Sequence, residues 1–142
     1  PSTATLRERM RSRMASSACS ESTFSAKCCM VPGAEELIGA PVDAIVADLS
    51  FISLAKVLPQ LLPLARSGAW LLALVKPQFE LSPEAIGKGG IVRDAAARRM
   101  AVERVRAAIA EVPGWHVVGV IPSPILGGSG NAEFLIGARG DG

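Results

Sequence analysis

Apolar residues along this chain fall into short, continuous runs that stop abruptly at a charge. Val42, Ala44, Ile45, Val46 and Ala47 form a run too continuous for a strand with one wet face, and Asp48 breaks it. A second run, Ala69 to Val75, is equally apolar and ends at Lys76 and Pro77, where proline removes a ladder donor and disfavours helix before it. Between them Ile52, Leu54, Ala55, Val57, Leu58, Leu61 and Leu62 recur at helical spacings, a stripe closed by Gly68 and shortened or kinked by Pro59 and Pro63. Strand, helix, strand predicts a βαβ unit, whose crossover is right-handed in about 98% of cases and makes the two strands parallel. Asp48 and Lys76 then share the carboxyl edge of one sheet, where ligands of open α/β sheets bind.

The segment from Glu80 to Asp94 (ELSPEAIGKGGIVRD) is rich in Gly and turn residues and predicts a loop leading to a helix, with Asp94 as its N-cap. In that helix, AAARRMAVERVRAAIAEV, Met100, Val102, Val105, Ala108, Ile109 and Val112 form the core stripe. Arg98, Arg99, Glu103, Arg104 and Arg106 face outwards, and Pro113 and Gly114 end it. The remaining stretch predicts two strands, Trp115 to Ile121 and Ala132 to Ala138, joined by a Pro- and Gly-rich connection too short for a parallel crossover. The final strand therefore runs antiparallel and starts at the edge where its parallel neighbours end. That brings Glu133 round to Asp48 and Lys76, the layout of a composite active site.

The succession DLSFISLAKVLP, LVKPQFE, KGGIVRD, GW, SPI and GNAEFL resembles, over roughly Val42 to Ala138, the carboxyl-terminal part of the hemolysin-A-type branch of the FtsJ-like ribosomal RNA methyltransferases. Order and spacing together make this more specific than any one motif. The resemblance implies an α/β fold: a partial Rossmann-like methyltransferase sheet of parallel strands with a final antiparallel strand. It also implies S-adenosylmethionine as cofactor and methyl transfer to a ribose 2′-hydroxyl, with ribosomal RNA or a ribosomal subunit as partner. The family uses a Lys-Asp-Lys-Glu tetrad. Carried over, Asp48 is its aspartate, Lys76 its second lysine and Glu133 its glutamate, while the first lysine has no counterpart. Asp48 would lie nearest the methyl donor, as a cofactor-binding as well as a catalytic residue, and Lys76 nearest the acceptor hydroxyl. A ribose hydroxyl is a weak nucleophile at neutral pH, and a lysine held close can orient it. Two carboxylates beside that lysine favour its charged form, which points to orientation and electrostatic stabilisation over general-base action.

Plainer readings stand beside these. Asp48 could cap the following helix, Lys76 could be solvated, and Glu133 in an edge strand would face water. GGSGN is a flexible turn or a backbone nest for an anion, and Lys88, Gly89, Gly90 and Arg93 are placed to touch RNA phosphate or close over the site. Phe79 is either core or a surface on which a base stacks. One histidine, His116, without a cysteine pair beside it supports neither a metal site nor a Ser-His triad, and it reads as an ordinary strand residue. No metal is expected. Cys19, Cys28 and Cys29 lack metal-ligand spacing and are expected to be reduced cytosolic thiols.

Residues 1–41 differ from the rest. Rich in Ser, Ala and Arg, they carry no sustained stripe, and they lack the Gly-rich G-A-S-T-G-G loop with which the resembled family wraps its cofactor. The expected division is an unassigned, irregular or non-native leader over 1–41 and the carboxyl-terminal part of a methyltransferase domain over 42–142. With Pro and not Met at its start, the chain reads as part of a longer gene product. Its 142 residues and net charge of +2 give only weak support for nucleic-acid binding, much of the positive charge lying in Arg7, Arg9, Arg11 and Arg13. No apolar run approaches the roughly 20 residues of a spanning helix, so no membrane partner and a cytoplasmic location are expected. Two further readings stay open: a catalytically dead remnant without its cofactor loop, and a non-enzymatic RNA-binding module.

Overall fold

The computed structural model describes residues 41–142. Residues 1–40, with the leader's arginines and all three cysteines, lie outside the described residues. Four strands form one mixed sheet: β1 (Val42–Ala47), β2 (Ala65–Val75), β3 (Trp115–Pro122) and β4 (Phe134–Gly140). The helices are α1 (Leu54–Leu61), the short α2 (Pro77–Glu80) and α3 (Ala95–Ala110), with single 3₁₀ turns at Leu62–Leu64, Pro83–Ala85 and Lys88–Gly90.

Spatial order is β1-β2-β4-β3. The β1 and β2 strands are parallel, with Ala44 beside Trp70 and Ala47 beside Ala73. The last strand enters antiparallel between β2 and β3, pairing Val75 with Phe134 on one side and Phe134 with Pro122 on the other. The fold is thus α/β, with the antiparallel final strand that the sequence predicts. That strand is interior, however, and not an edge. It starts at Phe134, two residues later than expected, so Glu133 stands just outside it.

One face of the sheet carries the core. Ala47, Leu71, Ala73, Val75, Ile136 and Ala138 meet Leu54, Leu58 and Leu62 from the α1 side and Val102, Val105, Ile109 and Val112 from the α3 side. Along β2 the buried residues Leu71, Ala73 and Val75 alternate with exposed Trp70 and Leu72, the period of two of a half-covered strand. Val46 is likewise exposed, at 70%. The continuous apolar runs therefore do not mean two covered faces among the described residues, where α1 and α3 both pack on the same one.

Gly68 does not close the helix. The α1 helix runs through Pro59 and yields to a 3₁₀ turn with Pro63 near its start. Gly68 lies within β2 at φ 77°, in the left-handed region that glycine tolerates best. Its N–H donates to Asp141 O at 2.9 Å. The β1/β2 register shifts between Val42 and Ala44, opposite this stretch.

Asp94 caps α3 as predicted, accepting from the N–H groups of Ala96 (3.2 Å) and Ala97 (3.0 Å). Those two bonds hold its carboxyl below the usual range. The buried side of α3 comprises Ala97, Ala101, Val102, Val105, Ala108 and Ile109. Met100 is not in it and is 66% exposed. At 100° per residue Met100 falls about 60° outside the arc that these residues span, because small Ala97 and Ala101 mark the buried side where a hydrophobicity count alone favours methionine. Ile109→Ala is accordingly expected to lower unfolding free energy by about 2–5 kcal/mol in denaturant titration, and Met100→Ala to change it by less than about 0.5 kcal/mol.

Candidate active site

Asp48 is the first residue after β1, Lys76 the first after β2, and Glu133 the last before β4. Parallel β1 and β2 end at the same edge, and antiparallel β4 begins there. Extending the Val75–Phe134 pairing by one step sets Lys76 opposite Glu133.

Lys76 reaches across to Asp48, with Nζ 2.6 Å from Oδ1, and also donates to Ser50 Oγ at 3.1 Å. The lysine side chain is only 14% exposed and the aspartate 66%. Lys76 is thus not a freely solvated strand-end residue. Asp48 is not a helix cap either, since the N-cap position of α1 is Ser53. An ion pair with one partner so open to water contributes at most about 1 kcal/mol to folding. Its value is positional.

Glu133 is 7% exposed, against the expectation that it faces water. Its backbone carbonyl accepts from Ser123 N–H at 2.8 Å, which continues the β3/β4 ladder one step past the strand. The carboxylate lies against Gly127, where an added Cβ would stand 2.9 Å from Glu133 Cδ and closer still to Oε1. Only a residue without a side chain leaves it that position. Among the described residues Glu133 makes no ion pair, so the three site residues share one edge while only Asp48 and Lys76 touch.

The GGSGN segment is a turn closed by its own backbone, with Gly127 N–H donating to Asn131 O at 2.9 Å and Gly130 N–H to Gly127 O at 2.8 Å. Asn131, 1% exposed, joins it to the neighbouring loop. Its Oδ1 accepts from Val92 N–H at 2.9 Å, and its Nδ2 donates to Gly90 O at 2.9 Å and Ser129 Oγ at 3.0 Å. The loop of Lys88, Gly89, Gly90 and Arg93 is therefore pinned beside Glu133 and keeps its cations exposed. Phe79 is half-buried, and its ring centroid is 5.1 Å from that of Phe51, which is 88% exposed and carries φ 65°. A bulky residue at positive φ is a backbone outlier, of a kind that concentrates at functional sites.

Sequence reasoning missed Asn131, Ser50, Phe51 and a buried Glu80. Each acts through partners far along the chain or through backbone conformation, and neither leaves a local pattern. The only available signal was their place inside the quoted motifs. His116 lies away from this edge, with Nδ1 3.3 Å from Asp141 Oδ1. So does the cavity of about 300 Å³ lined by Leu62, Arg66, Ser67, Trp115 and Asp141, at the opposite end of the strands. Among the described residues no group of three or more His, Cys, Asp or Glu could hold a metal ion, and no helix is long and apolar enough to cross a membrane.

Residues 10–140 match the model of the FtsJ-like methyltransferases. The chain belongs to that family. The match starts well inside the leader, for which the motifs alone offered no family counterpart. Over 104 residues the chain is 49% identical to the 16S/23S rRNA (cytidine-2′-O)-methyltransferase TlyA of Mycobacterium tuberculosis, covering 73% of this chain and 38% of that one. A candidate hemolysin from Lactococcus lactis superposes with a TM-score of 0.66 at 40% identity, covering 70% of this chain and 47% of that one. A second, from Streptococcus thermophilus, gives 0.67 at 39%, with 75% and 38% covered. The chain spans less than half the length of each. The Rossmann-like methyltransferase sheet expected from the resemblance is thus present in part, as strands β1 to β4 of this FtsJ-like chain.

Asn131→Ala would leave the N–H of buried Val92 without its partner and release the Gly90 carbonyl, costing about 1–3 kcal/mol. Denaturant titration should show that loss, and hydrogen exchange should quicken at residues 88–93 ahead of the core strands.

Proposed function

We propose that this chain is the carboxyl-terminal part of a cytoplasmic enzyme that transfers a methyl group from S-adenosylmethionine to a ribose 2′-hydroxyl of ribosomal RNA. The observation that carries the reading is the environment of Lys76. An ammonium has three N–H donors. Asp48 and Ser50 take two at the sheet edge and leave one for the acceptor hydroxyl.

The residues present fit the cofactor as far as they go. Asp48 meets Lys76 through Oδ1, and its exposed carboxylate keeps Oδ2 for a hydroxyl or cationic donor. When bound, S-adenosylmethionine supplies an electrophilic methyl on a sulfonium. Lys76 then fixes the direction of the hydroxyl oxygen and stabilises negative charge as it develops there, which is the usual source of rate in a preorganised site. Asp48 keeps the ammonium aimed. Glu133, opposite Lys76 in register, adds negative potential from the far side. As the methyl carbon passes from sulfur to oxygen, the S–C bond would break and the hydroxyl proton would leave to solvent water, and the part of Lys76 is orientation.

Ribosomal RNA as the acceptor is supported by the identity to the mycobacterial enzyme and by the surroundings of the site. Exposed Lys88, Arg93 and Arg99 suit phosphate contacts, which give affinity without sequence information. The Phe51 ring, exposed and tilted 48° against Phe79, offers an apolar face on which an unstacked base can rest.

Lys76→Ala is expected to abolish methyl transfer while the circular dichroism and melting of the chain stay unchanged; transfer at the wild-type rate would remove Lys76 from the mechanism. Gly127→Ala should displace the Glu133 carboxylate and lower kcat with little loss of stability, because the group that must move is the free end of a side chain. Calorimetric titration with S-adenosylmethionine, and with S-adenosylhomocysteine as second ligand, tests the cofactor directly. Saturable binding supports an enzyme, and no binding by a folded chain favours a remnant that keeps the motifs without the cofactor site. RNA affinity that survives loss of both Asp48 and Lys76 would instead favour a binding module.

A further inference from the structure

Glu80 is a carboxylate only 3% exposed that the proposed reaction does not use. Among the described residues it has no cationic partner. It accepts instead from Ser53 Oγ and from the Leu54 N–H, both at 2.6 Å, with the Ala55 N–H further off at 3.5 Å. Backbone donors in the first turn of a helix have no partner inside it, and the helix dipole favours an anion there. Ser53 holds the N-cap position of α1, yet its hydroxyl is turned to Glu80 and not to its own helix. The cap of α1 thus comes from a segment 26 residues further along the chain.

That detour ties together the two loops that carry the site. The loop from Asp48 to Ser53 and the segment from Lys76 to Glu80 are joined at one end by Lys76 to Asp48 and Ser50, and at the other by Glu80 to Ser53 and Leu54. From behind, Arg104 on α3 donates to the Glu80 carbonyl at 2.9 Å and fixes the segment to the core. A local serine cap would stabilise α1 equally well. It would not hold the two loops at a set spacing.

We infer that Glu80 is a positioning residue for the Asp48–Lys76 pair. Its carboxylate sets the distance between the two strand-end loops and so the direction in which Lys76 presents its remaining N–H. Glu80 has this role in catalysis only if Lys76 faces the acceptor hydroxyl, the function proposed for the site. Displacing a reacting group by about 1 Å costs about 100-fold in rate, so a clamp of this kind matters to turnover as well as to folding.

The test reads Lys76 directly. The chain is acylated at its amines under limiting reagent, and labelling of Lys76 is followed by peptide mass spectrometry, with exposed Lys88 as internal reference. Glu80→Ala is expected to raise Lys76 labelling several-fold relative to Lys88. Glu80→Gln should fall between it and wild type, since the amide oxygen still serves Leu54 while the amide nitrogen confronts Ser53. Ile109→Val, a core change of modest cost on α3, should leave the ratio unchanged. In the methyl-transfer assay Glu80→Ala should lower kcat about tenfold or more, with KM for the methyl donor within about twofold. Unchanged Lys76 labelling in the Glu80 variants, or an equal rise in Ile109→Val, overturns the assignment. Should Glu80→Ala not fold, Glu80→Gln decides the matter by the same ratio. A wild-type chain that transfers no methyl counts against the proposed function alone, because the labelling ratio still shows whether Glu80 holds Lys76 in place.

Discussion

The ladder between β2 and β4 is the constraint on which the rest depends. Six residue pairs, from Trp70–Arg139 to Val75–Phe134, set the register of the last strand against the middle of the sheet. Because a strand's side-chain period is two, a slip of one residue would turn Ile136 and Ala138 out of the core and move Glu133 away from Lys76 in the same step. Burial therefore enforces the site. The free energy that keeps Ile136 at 0% exposure also holds Glu133 at the edge, although the two residues have unrelated tasks.

Around that ladder the loops take over from the strands. Asp48, Lys76 and Glu133 each stand one residue outside a strand, where the sheet ladder is ending. The protein supplies substitutes from elsewhere in the chain: Glu80 for the amides of α1, Asn131 for Val92 and Gly90, and Arg104 for the carbonyl of Glu80. Buried polar groups with their partners in place specify one arrangement, since any other leaves one of them unsatisfied. A proposed reaction centre that pairs an exposed aspartate with a mostly buried lysine needs such support, because their own attraction is too weak to define a geometry.

What the sequence made legible follows from which signals are local. Asp94 was readable as a cap because its partners lie two and three residues away. The strands were readable from their apolar runs, and the antiparallel return from the shortness of its connection. Gly68 and Met100 were misplaced for physical reasons: a glycine ends a helix or bends a strand by the same left-handed backbone, and a methionine is apolar on either side of a helix whose buried arc is marked by alanines. Glu133 was assigned to an edge because order along the chain does not show that β4 enters between β2 and β3. Glu80 and Asn131 stayed silent because the side-chain bonds that tie them to other segments span 25 or more residues.

Phe51 bears on how this loop can change over generations. A large side chain at φ 65° costs about 1–3 kcal/mol that the surrounding contacts must offset. Glycine would relieve that cost, and asparagine or aspartate part of it, so selection for folding alone pulls the position away from phenylalanine. The residue is 88% open to solvent, so beyond its contact with Phe79 it returns little in burial. Folding alone therefore gives residue 51 no reason to stay aromatic, and a glycine there would leave the loop more stable.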